Sequence, residues 1–185
     1  MSSKKTIIAI VGMPGAGKSI SCDFFKSKGY PILRFGDQTD IGLKEQGLLL
    51  TQENEQPYRE KLRQELGMAA YAIKIAPRIK ETFRSGSECI ILDGLYSWEE
   101  YLYLKKLFPQ LILLCVYARP SIRYQRLAKR KIRPLTLEES RNRDIAELEN
   151  LNKGGPIAIA DYLIKNNKGE DKLYKKLEQT LAYLI

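Results

Sequence analysis

The 185-residue chain is 44% hydrophobic and 29% charged, with a formal net charge of +9. That length supports one domain with a proper core and excludes two ordinary ones, and no segment approaches the roughly 20 uninterrupted apolar residues of a membrane span. Histidine is absent, which removes the commonest general base and zinc ligand and leaves proton transfer to carboxylates, lysines, tyrosines or water.

The first residues, MSSKKTIIAIVG, have the lysines and short apolar run of a secretory signal. The run leads straight into a glycine loop and lacks a small-residue cleavage site, so Thr6 to Val11 reads as a buried strand. GMPGAGKS follows, fitting G-x-x-x-x-G-K-S, and SISCDFFKSKG then shows apolar residues at helical spacing up to Gly29. Strand, loop and helix in that order make a phosphate cradle. Backbone N–H groups of Gly12, Gly15, Ala16 and Gly17 would turn around the β-phosphate, with the helix N-terminus adding partial positive charge. Lys18 would bridge the β- and γ-phosphates and Ser19 would ligate Mg²⁺ of bound ATP.

PILRF (31–35) is a short strand candidate leading into Gly36 and Asp37. The region to about residue 84 is mostly helical, with a break from Gly47 to Thr51 and Pro57 expected in a first helical turn. ECIILDG (88–94) reads as a strand buried on both faces. Asp93, at its end, would emerge beside the glycine loop and hold a magnesium-bound water; the alternative is an ordinary Asp-Gly turn. Residues 97–107 read as a helix and QLILLCVYA (110–118) as the next buried strand.

A basic helix is expected to about Ile132, broken by Pro134; Thr136 and Glu139 have capping-box spacing, opening a helix from Leu137 to about Leu151. GGP (154–156) is a second break, DYLIKN (161–166) a last strand, and a helix runs from about Glu170. Strands alternating with helices imply a parallel α/β sheet covered on both faces, with binding chemistry at the carboxyl ends of its strands. Cys22, Cys89 and Cys115 are odd in number and widely spaced, as buried thiols of a reducing cytosol are. Between Ala118 and Leu137 stand seven cations and no carboxylate, a concentrated field for an anionic partner.

Taken as an ordered set, GMPGAGKS, FGD (35–37), LRQELGM (62–68), LDGLYSWEE (92–100), RYQRLAKRK (123–131), RNRD (141–144) and IADYLIKNN (159–167) resemble the nucleotide-kinase branch of P-loop proteins. Adenylate kinase and dephospho-CoA kinase are the relatives implied, and most of all the adenylate-kinase-related proteins of unassigned substrate known mainly from archaea. The resemblance covers nearly the whole chain. It implies a three-layer P-loop NTPase fold over residues 1–185, with a central parallel sheet of about five strands. It also implies a helical acceptor-binding region at about 37–84 and a lid at about 119–153. By position in that family, Arg126 would stack near adenine, while Arg130, Arg141 and Arg143 would clamp phosphates. Guanidinium forks suit the charge of a γ-phosphoryl group in flight. A solvated basic helix, or a nucleic-acid-binding face, is the alternative.

Adenylate-kinase relatives usually carry Gly-Asp-x-x-Arg after the second strand and Asp-Gly-x-(x)-Arg after the third, both arginines holding the acceptor's phosphate. Here Asp40, in GDQTD, and Tyr96 with Ser97, in DGLYS, take those places. A phosphate facing Asp40 would be repelled unless Arg59 or Arg63 reached in. Two readings follow. Either the acceptor is a nucleotide held by other basic residues, or it presents a hydroxyl whose proton passes to Asp37. For Asp37, a helix N-cap or a magnesium-side carboxylate stays open, and Tyr96 either stacks on the acceptor or packs against the sheet.

The expected activity is therefore ATP- and Mg²⁺-dependent phosphoryl transfer to a nucleotide, nucleoside or coenzyme-like acceptor by a soluble cytoplasmic kinase. A regulatory or RNA-associated ATPase is the second class, motivated by the net charge, although aromatic residues do not interleave with the basic ones as on single-strand platforms. A non-catalytic nucleotide-binding module is the third.

Overall fold

Strand β1 (Thr6–Val11) is buried at every residue, as only the centre of a sheet covered on both faces requires. In the computed structural model, which describes residues 5–184, its parallel neighbours are β3 (Cys89–Asp93) and β4 (Leu111–Tyr117). The outer strands are β2 (Ile32–Arg34) beside β3 and β5 (Tyr162–Lys165) beside β4, giving the order β2-β3-β1-β4-β5 among the described residues. All are parallel, so every carboxyl end lies at one edge.

The alternation of side chains sorts the core into two layers. Ile7, Ala9 and Val11 face α4 (Ala70–Arg84) and α5 (Trp98–Leu107), in a cluster with Ile75, Ile79, Leu92, Leu104 and Leu113. Ile8 and Ile10 face the other way, toward α1 (Lys18–Ser27) and α9 (Glu170–Leu184), with Phe24, Phe25, Leu173 and Leu177. Each such fully buried side chain contributes about 1.5–3 kcal/mol relative to exposure. The three cysteines are free and buried within these layers.

Beyond the sheet's carboxyl edge stand α2 (Asp37–Glu45) and α3 (Gln52–Leu66) on the β2 side. On the β4 side stand α6 (Pro120–Ala128), α7 (Leu137–Glu149) and the short α8 (Gly154–Ala158). Capping boxes start α5, through Ser97 and Glu100, and α7, through Thr136 and Glu139, so each first turn has its exposed amides satisfied locally. None of the described helices is long and apolar enough to cross a membrane.

Three local expectations are corrected. The basic helix ends at Ala128, four residues before Ile132, because the chain folds back: Leu135 N donates to Leu127 O at 3.2 Å and Arg133, before Pro134, takes φ 53°. Pro57 lies in the second turn of α3, which begins at Gln52, and not in the first. Residues 154–156 open α8, where a proline in the first turn gives up no helical hydrogen bond.

Candidate active site

The glycine loop joins β1 to α1, and its shape is held from outside. Arg123 Nη1 donates to Pro14 O at 3.0 Å, Arg126 Nη1 to Gly15 O at 3.3 Å, and Asn166 Nδ2 to Ala16 O at 2.8 Å. Three consecutive carbonyls are thus fixed by side chains from α6 and from the end of β5, which settles the loop before any anion arrives. Gly12 (φ 142°) and Gly17 (φ 110°) need their lack of a Cβ twice over, since one would also collide with the Val116 carbonyl oxygen and the other with the Asn166 amide.

Lys18 Nζ folds onto the loop, donating to Gly12 O at 2.8 Å and Met13 O at 3.2 Å. Burial, and then the neighbouring charge of Lys153, lower its pKa to about 7. The cost of burying an ammonium group so placed falls when an anion comes beside it. A cleft of about 340 Å³ lies over the loop, lined by Gly17, Lys18, Ser19, Arg126, Arg130 and Asn166. Those residues fit a nucleoside triphosphate.

On the other side of Ser19, a second cleft brings together Ser19, Cys22, Arg34 and Asp93. Asp93 ends β3 opposite Ile10 of β1, so register alone carries its carboxylate to the loop. Burial and the adjacent Asp93 carboxylate push the Cys22 thiol up, keeping it protonated and inert. Among the described residues there is no cluster of three or more acidic or sulfur ligands for a metal. A Ser hydroxyl, a carboxylate and phosphate oxygens are the donor set that suits magnesium, which keeps much of its own water.

The third cleft, also about 340 Å³, is lined by Arg34, Gly36, Thr39, Asp40, Glu55, Arg59, Arg63, Tyr71 and Tyr96. Three arginines stand there with two carboxylates, and both Arg59 and Arg63 reach the cleft that Asp40 lines. Arg59 is engaged by Glu55 at 3.1 Å. Arg63 lies over the Tyr71 ring, 5.6 Å from its centroid, without a carboxylate partner among the described residues. Tyr71 is itself anchored by a 2.8 Å hydrogen bond with Thr39.

Asp37 is the first residue of α2, with Gly36 at the cap, so the N-cap alternative is corrected. Its carboxylate meets Arg78 at 3.4 Å and Arg34 at 3.8 Å, and Arg34 reaches on to Asp93 at 3.6 Å. Arg34 therefore links the Asp37 and Asp93 carboxylates. Tyr96 is part-buried, its hydroxyl against Gly94, and burial pushes its pKa up to about 12. Behind it, Glu100 caps Tyr96 N at 2.7 Å and Ser97 N at 3.2 Å; burial raises its pKa to about 7 against the pull of those two amides.

Of the lid arginines, Arg126 and Arg130 line the cleft over the loop. Arg143 points back to Glu147 at 3.2 Å, and Arg141 is exposed on α7 away from the clefts described. Arg123 is not a surface cation at all. It is 4% exposed and forms a bidentate pair with Asp144 (2.9 and 2.6 Å), which Tyr124 also reaches. The run from 118 to 137 is thus no uniform basic face.

Sequence reasoning missed Arg34, Arg123 with Asp144, and Lys153, and it gave the Asn166 side chain no role. Arg34 carried a usable signal, as the last residue of a strand ending beside Asp93. Asn166 had the same signal at the end of β5. The Arg123–Asp144 and Lys153–Glu147 pairs had none, because their burial depends on how α6, α7 and α8 fold back on the loop.

Residues 8–149 match the AAA domain family. A UPF0200 protein from Pyrococcus abyssi is 35% identical over 183 residues, covering 97% of each chain. Among solved structures, TT1252 from Thermus thermophilus aligns with a TM-score of 0.63 at 20% identity, covering 98% of this chain and 99% of that one. Shikimate kinase from Bacteroides thetaiotaomicron aligns at 0.59 and 14% identity, covering 96% and 98%. Together with the five-stranded parallel sheet, these likenesses show the three-layer P-loop kinase fold.

Proposed function

The chain belongs to the UPF0200 family and to the AAA domain family, and from that premise we propose that it is a Mg²⁺- and ATP-dependent phosphotransferase of nucleotide-kinase type. Its acceptor is a small nucleotide, nucleoside or coenzyme-like molecule. One observation carries the reading: the loop cleft with Lys18, Arg126 and Arg130 and the arginine-lined cleft with Tyr96 open at the same sheet edge, and the cleft at Asp93 lies between them, sharing Ser19 with the first and Arg34 with the second. An ATPase alone has no use for the second cleft.

In this reading residues 37–84 form the acceptor-binding region and 119–153 the lid of a single domain. Gly12, Gly15, Ala16 and Gly17 cradle the phosphates, Lys18 spans the β- and γ-phosphates, and Arg126 and Arg130 neutralise charge on the group in flight. Arg141 and Arg143 join only as the lid closes. Ser19 and Asp93 would hold magnesium, which when bound would supply further neutralisation of the phosphate oxygens. An acceptor oxygen bonds to the γ-phosphorus as the bond to the β–γ bridging oxygen breaks, and ADP leaves with that electron pair. A hydroxyl acceptor gives its proton to Asp37; an acceptor phosphate has none to give. Arg63, with Arg34 and Arg59 beside it, favours an acceptor with an anionic group, and Asp40 one with a hydrogen-bond donor. The free buried thiols suit a reducing cytosol.

Incubation with γ-labelled ATP and separate pools of nucleotides, nucleosides and coenzyme precursors tests the proposal. Label is expected in an organic product from one pool. Label released only as inorganic phosphate with every pool would sink it.

A further inference from the structure

One fully buried cation is left without a task by the phosphate loop and the lid arginines. Lys153, at the start of α8, is 2% exposed, and an ordinary packing role does not need an ammonium group there. Replacing a buried ion pair by apolar side chains is often neutral or stabilising, so the charge calls for another explanation. Its partner, Glu147, is already engaged by Arg143 Nε at 3.2 Å, so the carboxylate does not depend on Lys153 for neutralisation.

The position of Lys153 is clamped from both sides. Asn152, in a left-handed conformation (φ 50°), donates to Glu99 Oε1 at 2.8 Å, and Gly155 sits so tightly on Trp98 that a Cβ would come 2.6 Å from the ring. With α8 pinned to α5 in this way, Lys153 Nζ lies 4.9 Å from the centre of the Tyr96 ring. Tyr96 walls the acceptor cleft and rests on Gly94, next to Asp93. The ammonium thus lies against the ring that walls the acceptor cleft.

We propose that Lys153 is a second phosphate-binding lysine, contacting the γ-phosphoryl group from the acceptor side, and that Glu147 holds it in reserve until a triphosphate arrives. A γ-phosphate competes with Glu147 for Lys153 and Arg143 together, so a triphosphate engages two cations that a diphosphate leaves on Glu147. This rests on the kinase reading of the loop, and it concerns ATP alone, so it needs no knowledge of the acceptor.

Calorimetric titration of the full chain with Mg²⁺-ATP and Mg²⁺-ADP tests it. Lys153→Met is expected to weaken ATP about 10- to 100-fold, the range of a charge-assisted hydrogen bond, and ADP by no more than about 2-fold. Glu147→Gln acts in the opposite direction, raising the preference for ATP over ADP, which no general damage to the fold would produce. Lys153→Arg is expected to restore part of the preference. An unchanged ATP-to-ADP ratio in Lys153→Met, or a ratio that stays put or falls in Glu147→Gln, overturns the proposal while wild-type ATP binding leaves the kinase reading intact. A wild-type chain that binds no ATP overturns both.

Discussion

In the phosphotransferase reading proposed above, the two sides of the sheet edge hold their anions differently. The donor loop is made of backbone, and its carbonyls at Pro14, Gly15 and Ala16 are fixed by Arg123, Arg126 and Asn166. The acceptor cleft is made of side chains from β2, α2, α3, α4 and the turn after β3, several already paired with one another. A backbone cradle accepts any phosphate chain of the right geometry. A side-chain cleft can be remade by a few substitutions, which is why the loop is standard while Asp40 and Tyr96 stand where family arginines are expected.

The largest effect that would break this contrast is on the loop's support. Arg123→Met is expected to cost about 3–5 kcal/mol in urea unfolding, because Asp144 is left as a buried carboxylate with only Tyr124. The double variant Arg123→Met with Asp144→Leu should recover much of that loss. Recovery of nucleotide affinity as well would show that the pair shapes stability and not the loop.

Next in size, Lys18→Ala is expected to lower kcat/KM about 10²- to 10³-fold with no fall in Tm, since an ammonium buried at the cost already described is removed. On the acceptor side, Arg63→Ala should weaken acceptor binding about 10-fold while Mg²⁺-ATP affinity in calorimetry stays unchanged. A parallel loss of ATP affinity would erase the distinction between the two clefts.

The smallest effect is a proton. Because the Lys18 pKa is lowered from 10.5 to about 7, its contribution to stability is full above about pH 10.5 and is lost as pH falls through 7. Phosphate favours the charged form, so ATP binding at pH 8.5 is expected to take up as much as about one proton. Calorimetry in buffers of different ionisation enthalpy measures it, and Lys18→Ala should abolish it.

Much of this was legible from residue order. The strand that leads into the glycine loop and the strand that ends in Asp93 are continuous apolar runs, and a parallel sheet sends their ends to one edge. The capping box at Thr136 and Glu139 is likewise a local pattern that tertiary contacts did not overrule. Arg63 could be named from the sequence as a candidate for the acceptor side, but Arg34 could not, since only the pairing of β2 with β3 sets it beside Asp93. The end of the basic helix was misplaced because Leu135 folding back onto Leu127 is a packing decision.

By itself, then, the sequence determined the glycine loop and its place between strand and helix. A glycine loop needs only its own spacing, a strand before it and a helix after it, and all three are local. Which charges face a ligand and which face each other is not local: Arg123 and Arg126, three residues apart on α6, end in a buried ion pair and in the nucleotide cleft respectively. Only the tertiary structure decided that, because the cost of burying a charge depends on which partners the whole fold brings within hydrogen-bond reach.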